Sequence, residues 1–141
     1  MPSSIAAIAV DCHDQDLLAA FWCSALGYQI VARWKDQYDR QYLEIGPEDL
    51  DGVEVEPKQP VMLFQPVPDD KRDKNRLHLD LRPPIGEQTV EVERLVALGA
   101  RVVLADKQLP WVVLVDPEGN EFCVLPSRSP ARPSTVEVDK D

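Results

Sequence analysis

The sequence predicts an α+β fold made of two βαβββ modules. A chain of 141 residues, 44% of them apolar, has room for one domain with a proper core. Along it the same order of elements is read twice: a short apolar run, a stretch with helical periodicity, then three strand-like runs. A local echo links the halves, Ala25-Leu26-Gly27-Tyr28-Gln29-Ile30-Val31 against Ala97-Leu98-Gly99-Ala100-Arg101-Val102-Val103, at an offset of 72 residues. Ala-Leu-Gly is common at helix ends, but the shared element order makes duplication the better explanation. The modules span about 4–68 and 76–126.

Ser4 to Asp11 is short, apolar and bounded by polar residues, so it is read as a strand. Asp14 can cap a helix by accepting from free backbone N–H groups. Leu17, Leu18, Phe21, Trp22, Ala25 and Leu26 then recur at helical spacing, with Phe21 and Trp22 as core, and Gly27 ends the run. Tyr28 to Trp34 and Gln41 to Ile45 read as strands, Gly46 to Pro60 as an acidic loop, and Val61 to Val67 as the next strand.

In the second half Arg76 to Leu81 alternates, with Leu77, Leu79 and Leu81 on one face and His78 and Asp80 on the other. Val92, Leu95 and Val96 mark a helix ending at Gly99, and Arg101 to Leu104 and Trp111 to Val115 are strands. Asp116-Pro117-Glu118-Gly119-Asn120 is a turn, because Pro fixes φ and Gly admits positive φ. Glu121 to Leu125 closes the module. From Ser127 the composition turns to Ser, Pro, Arg and charge, which predicts a disordered tail over 127–141.

Charge restricts the partners. Fifteen Lys and Arg against 25 Asp and Glu give −10, a field that repels polyanions, so nucleic acid is not an expected partner. The charge is uneven: 36–56 holds eight acidic residues and one Arg, while 71–76 (KRDKNR) nets +3. No apolar run is long enough to span a membrane, and no basic leader precedes the first strand. Cys12, Cys23 and Cys123 are odd in number and lack metal-finger or CxxC spacing, as expected of free thiols in the cytoplasm.

The segments Phe21-Trp22, Leu26-Gly27-Tyr28, the run from Lys71 through Lys74-Asn75-Arg76-Leu77-His78-Leu79-Asp80, and Asp116 to Phe122 resemble the vicinal oxygen chelate superfamily. That superfamily includes glyoxalases, bleomycin- and fosfomycin-resistance proteins and extradiol dioxygenases; the likeness is to its glyoxalase-like domains and covers roughly residues 4–126. It implies that the modules curl mixed β-sheets into cups around a central cavity. The motifs are specific for the fold and weak for the reaction.

Enzymes of this group hold a divalent metal with one ligand from each of four strands. The resemblance puts those positions at Ala7, Gln65, His78 and Cys123, with Glu121 two residues before Cys123. A methyl cannot ligate, and an amide oxygen is a poor replacement for a carboxylate. The four-ligand site is therefore not expected to be intact, and a divalent metal, with His78, Glu121 and Cys123 as its candidate donors, is not the favoured cofactor.

The expected product is a homodimeric small-molecule protein. Its cavity would be lined by Gln65, His78, Trp111, Glu121 and Cys123, with His78 as general base or polar anchor. Lys74 and Arg76 are candidate anion contacts, alongside Lys71 and Asn75. Each has a plainer alternative: His78 satisfied by Asp80, Gln65 a buried amide, Trp111 a packing residue, Cys123 an inert thiol, Glu121 a wet strand end, the basic run a solvated linker. His13 reads as a loop residue. Turnover, as a lyase, isomerase or dioxygenase, and sequestration without turnover both remain open.

Overall fold

The structure, a computed structural model, describes residues 1–47, 59–84 and 86–127. Most of the acidic loop and all but the first residue of the proposed tail lie outside them. In chain order the elements are β1 (Ile8–Cys12), α1 (Gln15–Leu26), β2 (Tyr28–Lys35), β3 (Gln41–Pro47) and β4 (Met62–Pro66). The second half repeats them as β5 (Leu79–Leu81), α2 (Gln88–Leu98), β6 (Arg101–Ala105), β7 (Val112–Val115) and β8 (Glu121–Val124).

Two four-stranded sheets result, ordered β1-β4-β3-β2 and β5-β8-β7-β6. In each the first strand pairs parallel to the last and the remaining pairs are antiparallel. Two details repeat as well. Register shifts fall between Ile30 and Ala32 and between Val102 and Leu104. Gln15 and Gln88, each opening its helix, donate from Nε2 to the carbonyl of Phe64 or Val124 on the module's last strand. The α+β fold of paired βαβββ modules is thus the observed one.

Asp14 does cap α1, its carboxylate accepting from Leu17 N–H at 3.1 Å, and Gly27 ends the helix with φ +70°. Most strand boundaries fall within one or two residues of expectation, and the starts of β1 and β5 move furthest. β1 begins at Ile8, and Ile5 upstream is exposed. β5 begins at Leu79, leaving Leu77 91% exposed, off the face it was expected to share. The reason is long-range: Asn75 N–H donates to the Glu121 carboxylate at 3.1 Å, tethering the entering chain to the head of β8. Trp111 precedes β7. In α2 only Leu95 is fully buried; Val92 is half-buried and Val96 exposed.

One core serves both sheets. Leu18, Phe21 and Trp22 of α1 pack with Leu43, Ile45, Met62 and Phe64 of the first sheet and with Leu114, Phe122 and Val124 of the second. The Trp22 and Phe122 rings meet edge-on at 5.1 Å, and Trp22 Nε1 donates to the buried Asp116 carboxylate at 3.1 Å. Asp116 also organises the turn after β7, accepting from the backbone N–H of Glu118 and Asn120, while Gly119 takes φ +89°.

From that turn Glu118 reaches back across the chain, accepting the N–H groups of His13 and Asp14 at 2.7 Å each. Replacing it removes two charge-assisted bonds between the modules. Glu118→Ala is expected to cost about 1–2 kcal/mol by urea denaturation at unchanged m. A loss within error of zero would show that water satisfies both donors equally well. Among the described residues no helix is long and apolar enough to cross a membrane.

Candidate functional site

β1 and β5 are the edge strands of their sheets. Between them lies a cavity of about 940 Å³. Its floor is Trp22, Met62 and Phe122; its sides are β1, the connection after β4, and the turn leading into β8. The floor is apolar because these three side chains belong to the core. Polar groups line the rim: Asp11 of β1, Arg72 and His78 of the connection, and Asn120 of the turn.

Of the predicted site residues, His78 and Glu121 line this cavity, together with Lys71 and Asn75 of the candidate anion contacts. His78 Nδ1 lies 3.1 Å from Asp80 Oδ1, with 37% of its side chain exposed. Glu121 is tied to Lys71 Nζ at 2.8 Å and to Asn75 N–H. Burial pulls its pKa upward, but those donors outweigh it and hold the carboxyl below its usual range. It is therefore a staple for the connection as well as a lining group.

The other predicted residues stand elsewhere. Gln65 pairs with Asp11 on the first sheet, and its carbonyl accepts the Cys12 thiol at 3.6 Å. Trp111 is exposed ahead of β7. Lys74 and Arg76 are exposed, and Lys71, Arg72 and Asn75 take the lining places in the connection. Cys123, buried on β8, is paired across the ladder with Asp80 and belongs to a cluster with Asp80 and His78 whose donor atoms all lie within 4.8 Å of one another. His13 also lines the cavity, its Nε2 donating to the Asp69 carbonyl at 2.7 Å.

Sequence reasoning offered Asp80 as a partner for His78 but missed Trp22 as floor, β1 as wall and the pairing of Asp80 with Cys123. Helical spacing marks Trp22 as apolar but not what lies beyond its ring. The alternation that set His78 and Asp80 on one face was the available signal for Asp80.

The four positions that the resemblance gives to a metal do not fit a hard divalent cation. Ala7 precedes β1 and carries no donor, Gln65 on β4 offers a neutral amide and does not line the cavity, and among the described residues His78 and Cys123 are the two of the four that come together. Cys123 is a thiol in this setting: burial first, then the charge and hydrogen bond of Asp80, push its pKa up against an opposing pull from Lys74.

Cys12 is held more firmly still. Burial, with the carboxylates of Glu118, Asp11, Asp14 and Asp116, drives its pKa up to about 12, and burial alone raises Cys23. A raised thiol pKa favours folding fully below the ordinary range of about 8.5, and that contribution is lost as pH climbs through the folded value. The metal-free, reduced protein is therefore expected to react slowly with thiol reagents at pH near 8 and to release three reactive thiols on unfolding. Rapid modification of Cys12 in the folded state would contradict this.

Comparison with known proteins agrees with the geometry. The sequence profile of the glyoxalase-like domain matches residues 7–125. No curated sequence relative matches the chain. Among solved structures, the trypanothione-dependent glyoxalase I of Leishmania major is similar with TM-score 0.67 and 16% identity, over 89% of this chain and 87% of that one. A Listeria monocytogenes fosfomycin resistance protein FosX mutant, complexed with Mn(II) and 1S,2S-dihydroxypropylphosphonic acid, gives 0.66 and 14% over 89% and 93%. FosX of Mesorhizobium loti gives 0.67 and 9% over 89% and 92%. At these identities the structures attest the fold, and the profile match attests the family. The chain belongs to the glyoxalase-like domain family of the vicinal oxygen chelate superfamily.

Proposed function

We propose that the chain binds a small organic molecule in the cavity between β1 and β5, with His78 as the polar anchor at its rim. The observation that carries this reading is a core-derived apolar floor of Trp22, Met62 and Phe122 beneath a polar rim. Sites for small organic ligands combine an apolar body with a few placed polar groups in this way. The exposed cations Arg72, Lys74 and Arg76 make the connection the proposed contact for an anionic group on the ligand. Residues 1–126 are proposed to carry this function as one unit.

The test is a ligand-observed NMR screen of small organic compounds against wild-type protein and Ala9→Trp. Fosfomycin belongs in the first set, since two of the similar structures are fosfomycin resistance proteins. Ala9 is exposed and lines the cavity, so an indole there fills the space without entering the core. Hits that bind the wild type and lose binding to Ala9→Trp support the reading. Hits indifferent to the substitution would place the ligand elsewhere.

The proposed assembly is a homodimer in the cytoplasm. Edge strand β6 leaves Val102, Val103 and Leu104 exposed, and β2 leaves Ile30, Val31 and Trp34 exposed, as surfaces awaiting a partner copy would. Cys12, Cys23 and Cys123 are unpaired, which suits a reducing compartment. Light scattering should return twice the chain mass; the single-chain mass would contradict the dimer.

A further inference from the structure

The cavity between β1 and β5 is lopsided in charge. Eight carboxylates line it against two permanent cations, Lys71 and Arg72, and Lys71 is already tied to Glu121 at 2.8 Å. We propose that the ligand of this cavity carries a protonated amine, anchored by the Asp11 carboxylate of β1, alongside its apolar body. This names the ligand class for the binding reading given above and rests on that reading.

Asp11 stands apart because its carboxylate has no partner. Asp116, Glu118 and Asp14 accept N–H groups of the protein itself, from Trp22, from His13 and Asp14, and from Leu17. Among the described residues nothing donates to the Asp11 carboxylate or forms an ion pair with it. The carboxylates of Asp69 and Asp73 also accept no donor, but they belong to the connection. Asp11 is fixed in a strand, where it pairs with Gln65 and shares the exposed side of β1 with Ala9. A strand holds a charged group in place better than a connection does.

A protonated amine brings Asp11 the donors that the protein does not supply, in charge-assisted bonds. A carboxylate or phosphonate in the same place meets like charge. The Cys12 thiol, which lines the same cavity, registers the sign of this field. After burial, the charges of Glu118, Asp11, Asp14 and Asp116 are what drive its pKa to about 12. The field that disfavours a thiolate there favours a cation. Lys74 and Arg76 do not line the cavity, so an acidic group that meets them leaves the amine inside, and a ligand bearing both is amphoteric.

The test is a ligand-observed NMR titration with three probes of matched shape: phenethylamine, phenethyl alcohol and hydrocinnamate, at neutral pH. The wild type should bind phenethylamine about tenfold more tightly than hydrocinnamate, with the alcohol between them. Asp11→Asn, at an exposed position, should weaken phenethylamine about tenfold and leave the alcohol unchanged. Glu93→Gln removes one negative charge from the exposed side of α2, outside the cavity, and should leave all three affinities unchanged. Ala9→Trp should abolish binding of all three. Hydrocinnamate binding as tightly as the amine, unchanged amine affinity in Asp11→Asn, or an equal loss in Glu93→Gln overturns the proposal. If Ala9→Trp still removes binding in those cases, the cavity reading stands without it. Binding indifferent to Ala9→Trp, or no binding of any probe, removes the cavity reading and the proposal together.

Discussion

Trp22→Ala is expected to destabilise the folded chain by about 3–5 kcal/mol, the usual loss when a buried large aromatic is truncated. Trp22 is 2% exposed and packs edge-on against Phe21 at 5.0 Å and Phe122 at 5.1 Å. Phe21 is its helix neighbour, whereas Phe122 belongs to the second sheet. The indole thus joins the modules, and its N–H satisfies one oxygen of buried Asp116. Against a typical total of about 5–15 kcal/mol, such a loss leaves a marginal protein. Trp22→Phe separates the contributions. It keeps most of the apolar contact, and the same Asp116 oxygen still accepts from Asn120 Nδ2 at 3.0 Å, so a cost of about 1 kcal/mol is expected. Urea denaturation of both variants checks this. A cost below about 1 kcal/mol for Trp22→Ala would mean that the two modules do not depend on this contact.

His78→Ala is expected to weaken binding of the cavity's ligand about tenfold, the worth of one hydrogen bond of about 1.4 kcal/mol. Asp80 is the positioning residue here: with Nδ1 engaged, the imidazole offers Nε2 as its free atom. The same variant separates turnover from sequestration. A catalytic His78 predicts that product formation is abolished while affinity changes little. A sequestering protein predicts a loss of affinity, stoichiometric protection by the wild type, and no product from either. Calorimetry with the first hit from the screen, run beside product analysis, distinguishes them. Unchanged affinity together with unchanged product would remove His78 from the site.

Local chemistry made much of this fold legible. Asp14 and Gly27 bound α1 because a carboxylate cap and a left-handed terminus are properties of single residues. The Asp116–Asn120 turn was readable for the same reason, and the repeated Ala-Leu-Gly pointed to the second module. What stayed hidden depends on partners far away in the chain. The start of β5 is set by Asn75 meeting Glu121, so alternation alone carried Leu77 into a strand it does not join. The site shows the same division. Period-two spacing correctly set His78 and Asp80 on one face, but it says nothing of which sheet edge opens onto a cavity. Hence Gln65, Trp111 and Cys123, plausible by strand position, lie off the cavity, while Trp22 and β1 bound it.

The most direct test of the cavity as the binding site is amide and imidazole chemical-shift mapping on titration with the first confirmed ligand. The account predicts shifts that cluster at β1, at His78 and in the Asp116–Glu121 segment, with the Trp22 indole N–H moving alongside them. Shifts confined to Trp34, Tyr42 and Trp111, with β1 and His78 silent, would contradict it.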